Sequence, residues 1–143
     1  MSRQVRVAIA AIAVMASSVA VAIAGGPEGQ PKGKYTGLSD DDEAVTVKVG
    51  EAHGDKIVKS FKVDQGAECG KTKINSKNNK KMPVTVDGDG NFKIVVKEKI
   101  GGQKIETFSV SGGFAATGVI QGGYSQVACD GGTDSFVVFA GAV

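Results

Sequence analysis

Residues 91–100 read Asn-Phe-Lys-Ile-Val-Val-Lys-Glu-Lys-Ile. Phe92, Ile94, Val96 and Ile100 fall on even positions, and Lys93, Lys97 and Lys99 on odd ones. A period of two belongs to an extended strand with one apolar face and one wet face. The same alternation recurs on both sides of this stretch. Val45, Val47 and Val49 alternate with Thr46 and Lys48. Ile57, Phe61 and Val63 share a face that Lys59 interrupts. Met82, Val84 and Val86 share a face, as do Phe108, Val110 and Phe114, and then Ile120 and Tyr124. The final run, SFVVFAGAV (135–143), is apolar on both faces and is expected to be covered on both sides or to form a barrel seam. GEAHGD (50–55), DGDG (87–90), GGQ (101–103) and DGGTD (130–134) supply Gly and Asp where a chain reverses. The expected fold is all-β, an antiparallel meander of about seven to eight strands that closes as a small barrel or folds as a two-layer sandwich. Alternation does not choose between those two.

The chain has 143 residues, which suits one domain. Residues 1–24, MSRQVRVAIAAIAVMASSVAVAIA, begin with Arg3 and Arg6 and continue into an apolar run that ends in small residues. This layout predicts a secretory signal peptide cleaved between Ala24 and Gly25. A retained membrane anchor is the alternative, since the run is just long enough to span a bilayer. Residues 25–34, GGPEGQPKGK, are expected to form a flexible Gly/Pro tether, with the β-domain over 35–143. Cleavage would remove both Arg residues, leaving 15 Lys against 15 acids. A neutral chain without the planar guanidinium fork is a poor nucleic-acid binder. Charge is nonetheless uneven: residues 56–104 carry 12 Lys against 5 acids, and residues 105–143 carry no Lys. The expected location is secreted or extracellular, with membrane contact only during export.

Cys69 and Cys129 are the two cysteines. In an oxidising compartment an isolated pair is most simply a disulfide. Asp87, Asp89 and Asn91 place oxygen ligands at alternate positions, as a calcium loop does, and Glu98 is twelfth from Asp87. Phe92 stands at the sixth position, where such a loop needs Gly, so a plain hairpin turn is the expected reading. Ser39-Asp40-Asp41-Asp42-Glu43 reads as a solvated acidic loop, and Asn75–Lys81, with Lys77, Lys80 and Lys81, as a solubilising basic one. Cys69-Gly70-Lys71-Thr72 matches only the end of a phosphate-binding loop, because Gln65 stands where its first Gly is required. His53 is the single imidazole, in a predicted turn, and no nucleophile neighbours it in sequence. No catalytic residue, cofactor or metal ligand set is expected, and the chain is read as a non-enzyme.

Several of these segments recur together elsewhere. Tyr35-Thr36-Gly37 opens the domain, Lys56 to Cys69 holds a Phe-containing strand and a Cys, and Asp89-Gly90-Asn91-Phe92 makes a turn. Gly113 to Gly118 reads Gly-Phe-Ala-Ala-Thr-Gly, Cys129 follows, and Phe139-Ala140-Gly141-Ala142 ends the chain. In this order they resemble a loose group of small exported Gly-rich bacterial β-domains, most familiar from actinobacteria-like proteins. The resemblance implies an exported β-domain with one Cys pair; the group has no assigned activity, so it implies no site residue. The meander is fainter in its similarity to avidin-type barrels, and with no Trp in the chain it does not imply a biotin pocket.

The expected function is a binding module at the cell surface or outside the cell. Lys93, Lys97 and Lys99 are the candidate contact residues for a macromolecule or glycan. Two other readings remain open: a barrel whose apolar interior holds a small ligand, and a small secreted hydrolase.

Overall fold

The computed structural model describes residues 28–128 and 132–141. The expected signal segment, its cleavage site at Ala24/Gly25, and Cys129 lie outside them. The chain forms β1 (Gly33–Ser39), β2 (Ala44–Ala52), β3 (Asp55–Asp64), a single helical turn α1 (Gly66–Cys69), β4 (Lys71–Asn75), β5 (Val84–Thr85), β6 (Asn91–Ile100), β7 (Gln103–Ala116), β8 (Val119–Gln126) and β9 (Gly132–Ala140). All strand pairs are antiparallel, in the order β4-β3-β2-β1-β9-β8-β7-β6. The two-residue β5 pairs with β3 beyond the end of β4. The result is a curled half-barrel, not a two-layer sandwich: strands from every part of this one sheet contribute to a single core.

Local chemistry explains the reversals. His53 and Gly54 both have positive φ (55° and 83°), as do Gly101 and Gly102 (60° and 83°). Two such residues make the tight hairpin turn whose twist suits antiparallel strands. Lys59, which interrupts the apolar pattern of β3, is a bulge: Lys48 faces Ser60 and Val49 faces Val58. The extra residue reverses the facing of the strand. Val58, not Ile57, therefore joins Phe61 and Val63 in the core. Thr107 is the extra residue of β7, between the Val96↔Phe108 and Lys97↔Glu106 pairs.

Beyond that second bulge, residues 97–106 form an arm that leaves the core. Ile100, expected inside with Phe92, is 51% exposed because the arm has no opposing wall. A second expectation is corrected at β9. Phe136 and Val138 are buried, but Val137 and Phe139 point outward and are 39% and 54% exposed. Among the described residues nothing covers that outer face. β9 lies between β1 and β8, so both its edges are hydrogen-bonded while its outer face is open. Residues 30–34, read as tether, are fixed to the wall. Gln30 is buried and its Oε1 accepts from the Gly118 N–H at 2.9 Å, while the Tyr35 hydroxyl donates to the Pro31 carbonyl at 2.7 Å.

The interior is filled by rings. Phe61 lies 5.6 Å from Phe136 and 6.0 Å from both Phe108 and Tyr124, and Phe108 stacks on Tyr124 at 5.7 Å. Such spacings are those of favourable aromatic pairs. Phe61 is central to all of them and fully buried. We expect Phe61→Ala to cost about 3–5 kcal/mol in urea denaturation, and Lys62→Ala, on the outer face next to it, to change stability by less than about 0.5 kcal/mol.

Candidate functional site

The turn before β6 is built by one side chain. Asp87 Oδ1 accepts from the backbone N–H of Asp89 at 2.9 Å and of Asn91 at 3.0 Å. The Asp87 N–H donates to the Asn91 carbonyl at 2.8 Å. This is the turn chemistry of a short Asp side chain. Glu98 is seven residues further along extended β6, about 20 Å away by strand rise, so Asp87 and Glu98 do not converge.

The turn sets where Lys93 emerges. Lys93, Lys97 and Lys99 all project from the outer face of β6, opposite Phe92, Ile94 and Val96, and all are exposed. Lys99 is paired across the hairpin with Lys104, so the cationic row continues onto β7. Lys93 also lines a cleft of about 370 Å³. Asp87, Asn91, Ser111 and Gln121 line its walls, and Gly112 and Gly122 leave it without bulk. Neither glycine has room for a side chain. A Cβ on Gly122 would fall 2.1 Å from the Ser111 carbonyl oxygen, and one on Gly112 would fall 2.8 Å from the Phe92 ring. Thr85 and the Phe92 ring line it as well, so a carboxylate, an ammonium, two amides and two hydroxyls surround a cleft whose exposed lining is mostly apolar.

At the end of β1 the acidic loop is organised by Ser39. Its buried Oγ accepts from the N–H of Asp41 at 3.3 Å and of Glu43 at 3.1 Å. Glu43 Oε1 receives the Tyr124 hydroxyl at 2.5 Å. Asp41, Glu43 and Asp134 each bring a carboxylate oxygen within 4.8 Å of the others. Three such oxygens suit a hard cation in spacing, but here hydrogen bonds hold them. Burial, then the hydrogen bond and charge of Asp41, push the Asp134 carboxyl above its usual range. Burial, then the Glu43 hydrogen bond, push the Tyr124 phenol up. The sequence singled out Ser39–Glu43 but not Tyr124 or Asp134. Tyr124 read as core and Asp134 as turn; the β8–β9 register (Tyr124↔Asp134) brings them together, and the β1–β9 register (Ser39↔Phe136) brings both to the acidic loop.

Other candidates fall apart from these sites. His53 is exposed at the tip of the β2–β3 hairpin. Lys71 and Thr72 begin β4 rather than a helix, so Gly70-Lys71-Thr72 forms no phosphate cradle. Lys77, Lys80 and Lys81 are exposed in a loop shaped by Asn75, whose Oδ1 accepts from the Lys77 N–H at 2.9 Å. Cys69, the last residue of α1, is not a free thiol. Comparison with protein families, curated proteins and solved structures finds no match.

The raised Asp134 carboxyl has a defined pH signature. The folded state holds its proton more tightly than the unfolded chain, so the contribution to stability is full below about pH 4 and is lost as pH rises through the folded value. Asp134→Asn keeps an acceptor for the Ser135 N–H (2.9 Å) and removes the charge. We expect this variant to be more stable than wild type at pH 7, with the difference shrinking toward pH 4, as read from thermal unfolding across that range.

Proposed function

We propose that this protein is an exported, non-enzymatic binding module whose outer wall engages an anionic glycan of the cell surface. The observation that carries the reading is the row of Lys93, Lys97 and Lys99 on one outer face, extended by Lys104, with the cleft beside Lys93 at its inner end. Among the described residues the two ion pairs are Lys32–Glu51 and Lys56–Glu51, and neither uses these lysines. Glu106 stands across from Lys97, and the four lysines outnumber it on this face; a net cationic row attracts a polyanion over a distance set by the Debye length. The cleft beside Lys93 adds the hydrogen-bonding groups that a sugar ring needs. The packed aromatic interior favours the outer wall over the barrel interior as the binding surface.

Export and oxidation belong to the same reading. The leader-like residues 1–24 supply the route, and pairing of Cys69 with Cys129 supplies the staple expected outside the cell. That pairing would close a loop of about 60 residues, for a stabilisation of about 4 kcal/mol on the chain-entropy account. Reduction under native conditions is accordingly expected to lower the urea midpoint markedly, and Cys69→Ser to reproduce the loss without reductant. An unchanged midpoint on reduction would remove the staple from this account.

Glycan binding is tested by charge reversal. A lysine beside an anionic surface contributes about 1 kcal/mol. Lys93→Glu/Lys97→Glu/Lys99→Glu is therefore expected to weaken co-sedimentation with isolated cell envelopes, and binding to a sulfated polysaccharide probe, by at least about tenfold. Binding by the wild type should also fall as salt is raised. Retention of full binding by the triple variant would exclude this face.

A further inference from the structure

We propose that the outer face of β1 and β9 is a self-association surface on which a second copy of this chain docks with its strands antiparallel. This inference does not rest on glycan binding, although the two surfaces share the outer wall and adjoin where Gln121 of the cleft pairs with Val137 of the strip.

Leu38 on β1 faces Val137 on β9, and Thr36 faces Phe139. Leu38 and Phe139 are each 54% exposed and Val137 39%. Three of the six large hydrophobic side chains exposed among the described residues therefore form one contiguous strip. The strip lies at the centre of the sheet, where both strand edges are already hydrogen-bonded, so edge pairing is not the reason for it. Its flanks are small: Ala44 faces Leu38, and Thr46 faces Thr36. Contiguous exposed apolar surface with a polar rim is the mark of an interaction site.

Charge identifies the occupant. One end of the strip runs into Asp40, Asp41 and Asp42, all exposed. The other end is Lys34 paired with Lys48, both exposed. A face that is acidic at one end and basic at the other complements itself when turned end for end. A two-fold axis lying in the face and crossing the strands would set Lys34 and Lys48 of one copy over Asp40 of the other, twice by symmetry. The apolar strips would then meet in the middle. A parallel arrangement would oppose like charges instead. Self-complementarity of this kind is what an isologous dimer requires. The outer wall of a half-barrel is convex, so the contact is small and the dimer weak.

Sedimentation equilibrium of the purified protein over a wide concentration range tests this. The expected result is a reversible rise from monomer toward dimer mass, weakened by added salt. Phe139→Ser and Leu38→Ser should each raise the dissociation constant at least tenfold, and both sites are exposed enough for the fold to survive, as circular dichroism would check. Lys34→Glu/Lys48→Glu and Asp40→Lys should each associate poorly alone, and an equimolar mixture of the two should regain a heterodimer. A monomer at every concentration, or a dimer indifferent to Phe139→Ser, would overturn the proposal. Failure of the mixed charge variants to restore association would overturn the antiparallel arrangement.

Discussion

The ladder between β1 and β9 holds the whole structure together. Residues 35–39 pair with residues 136–140, joining the β1–β4 meander to the β6–β9 meander. Every other ladder connects strands that are near neighbours along the chain, apart from the two-residue β5 on β3. The joint is close: a Cβ at Gly37 would lie 2.0 Å from the Val137 carbonyl oxygen. Only Gly allows the two backbones to pack at that separation. Through this contact Tyr35, Phe136 and Val138 reach the same core as Phe61 and Val110.

A filled interior has a functional corollary. Rings packed around Phe61 leave the chemistry to the surfaces. The β6–β7 arm carries Lys97, Lys99 and Lys104 with Glu98 and Glu106, while the loop after β1 and the start of β9 carry carboxylates knitted together by Ser39 and Tyr124. The two regions are near neighbours, since β7 adjoins β8 and β8 adjoins β9, so a chain with nearly balanced charge carries basic and acidic groups side by side at one end of the sheet.

Much of this was legible in the residues. Period-two alternation places β2, β6, β7 and β8 correctly, and the outward set Lys93, Lys97, Lys99 follows from parity alone. Three things escaped. Lys59 looked like a flaw in a strand, because a bulge leaves only a break in the pattern and no positive sign of itself. Ile100 fits the apolar face of β6, yet burial depends on an opposing wall that no local pattern reports. Asp134 and Tyr124 are brought to Glu43 by a register between strands far apart in sequence, and periodicity within one segment carries no information about that. Barrel versus sandwich depended on the same kind of non-local pairing.

Joining first strand to last has a consequence for how the molecule comes into being. Synthesis from the N-terminus delivers β1 early and β9 late. The early meander has one long backbone edge without its mate until β9 is made, and non-local pairings of this sort are slow to form. A chain that lacks β9 keeps that edge open, and with it a site for proteolytic clearance.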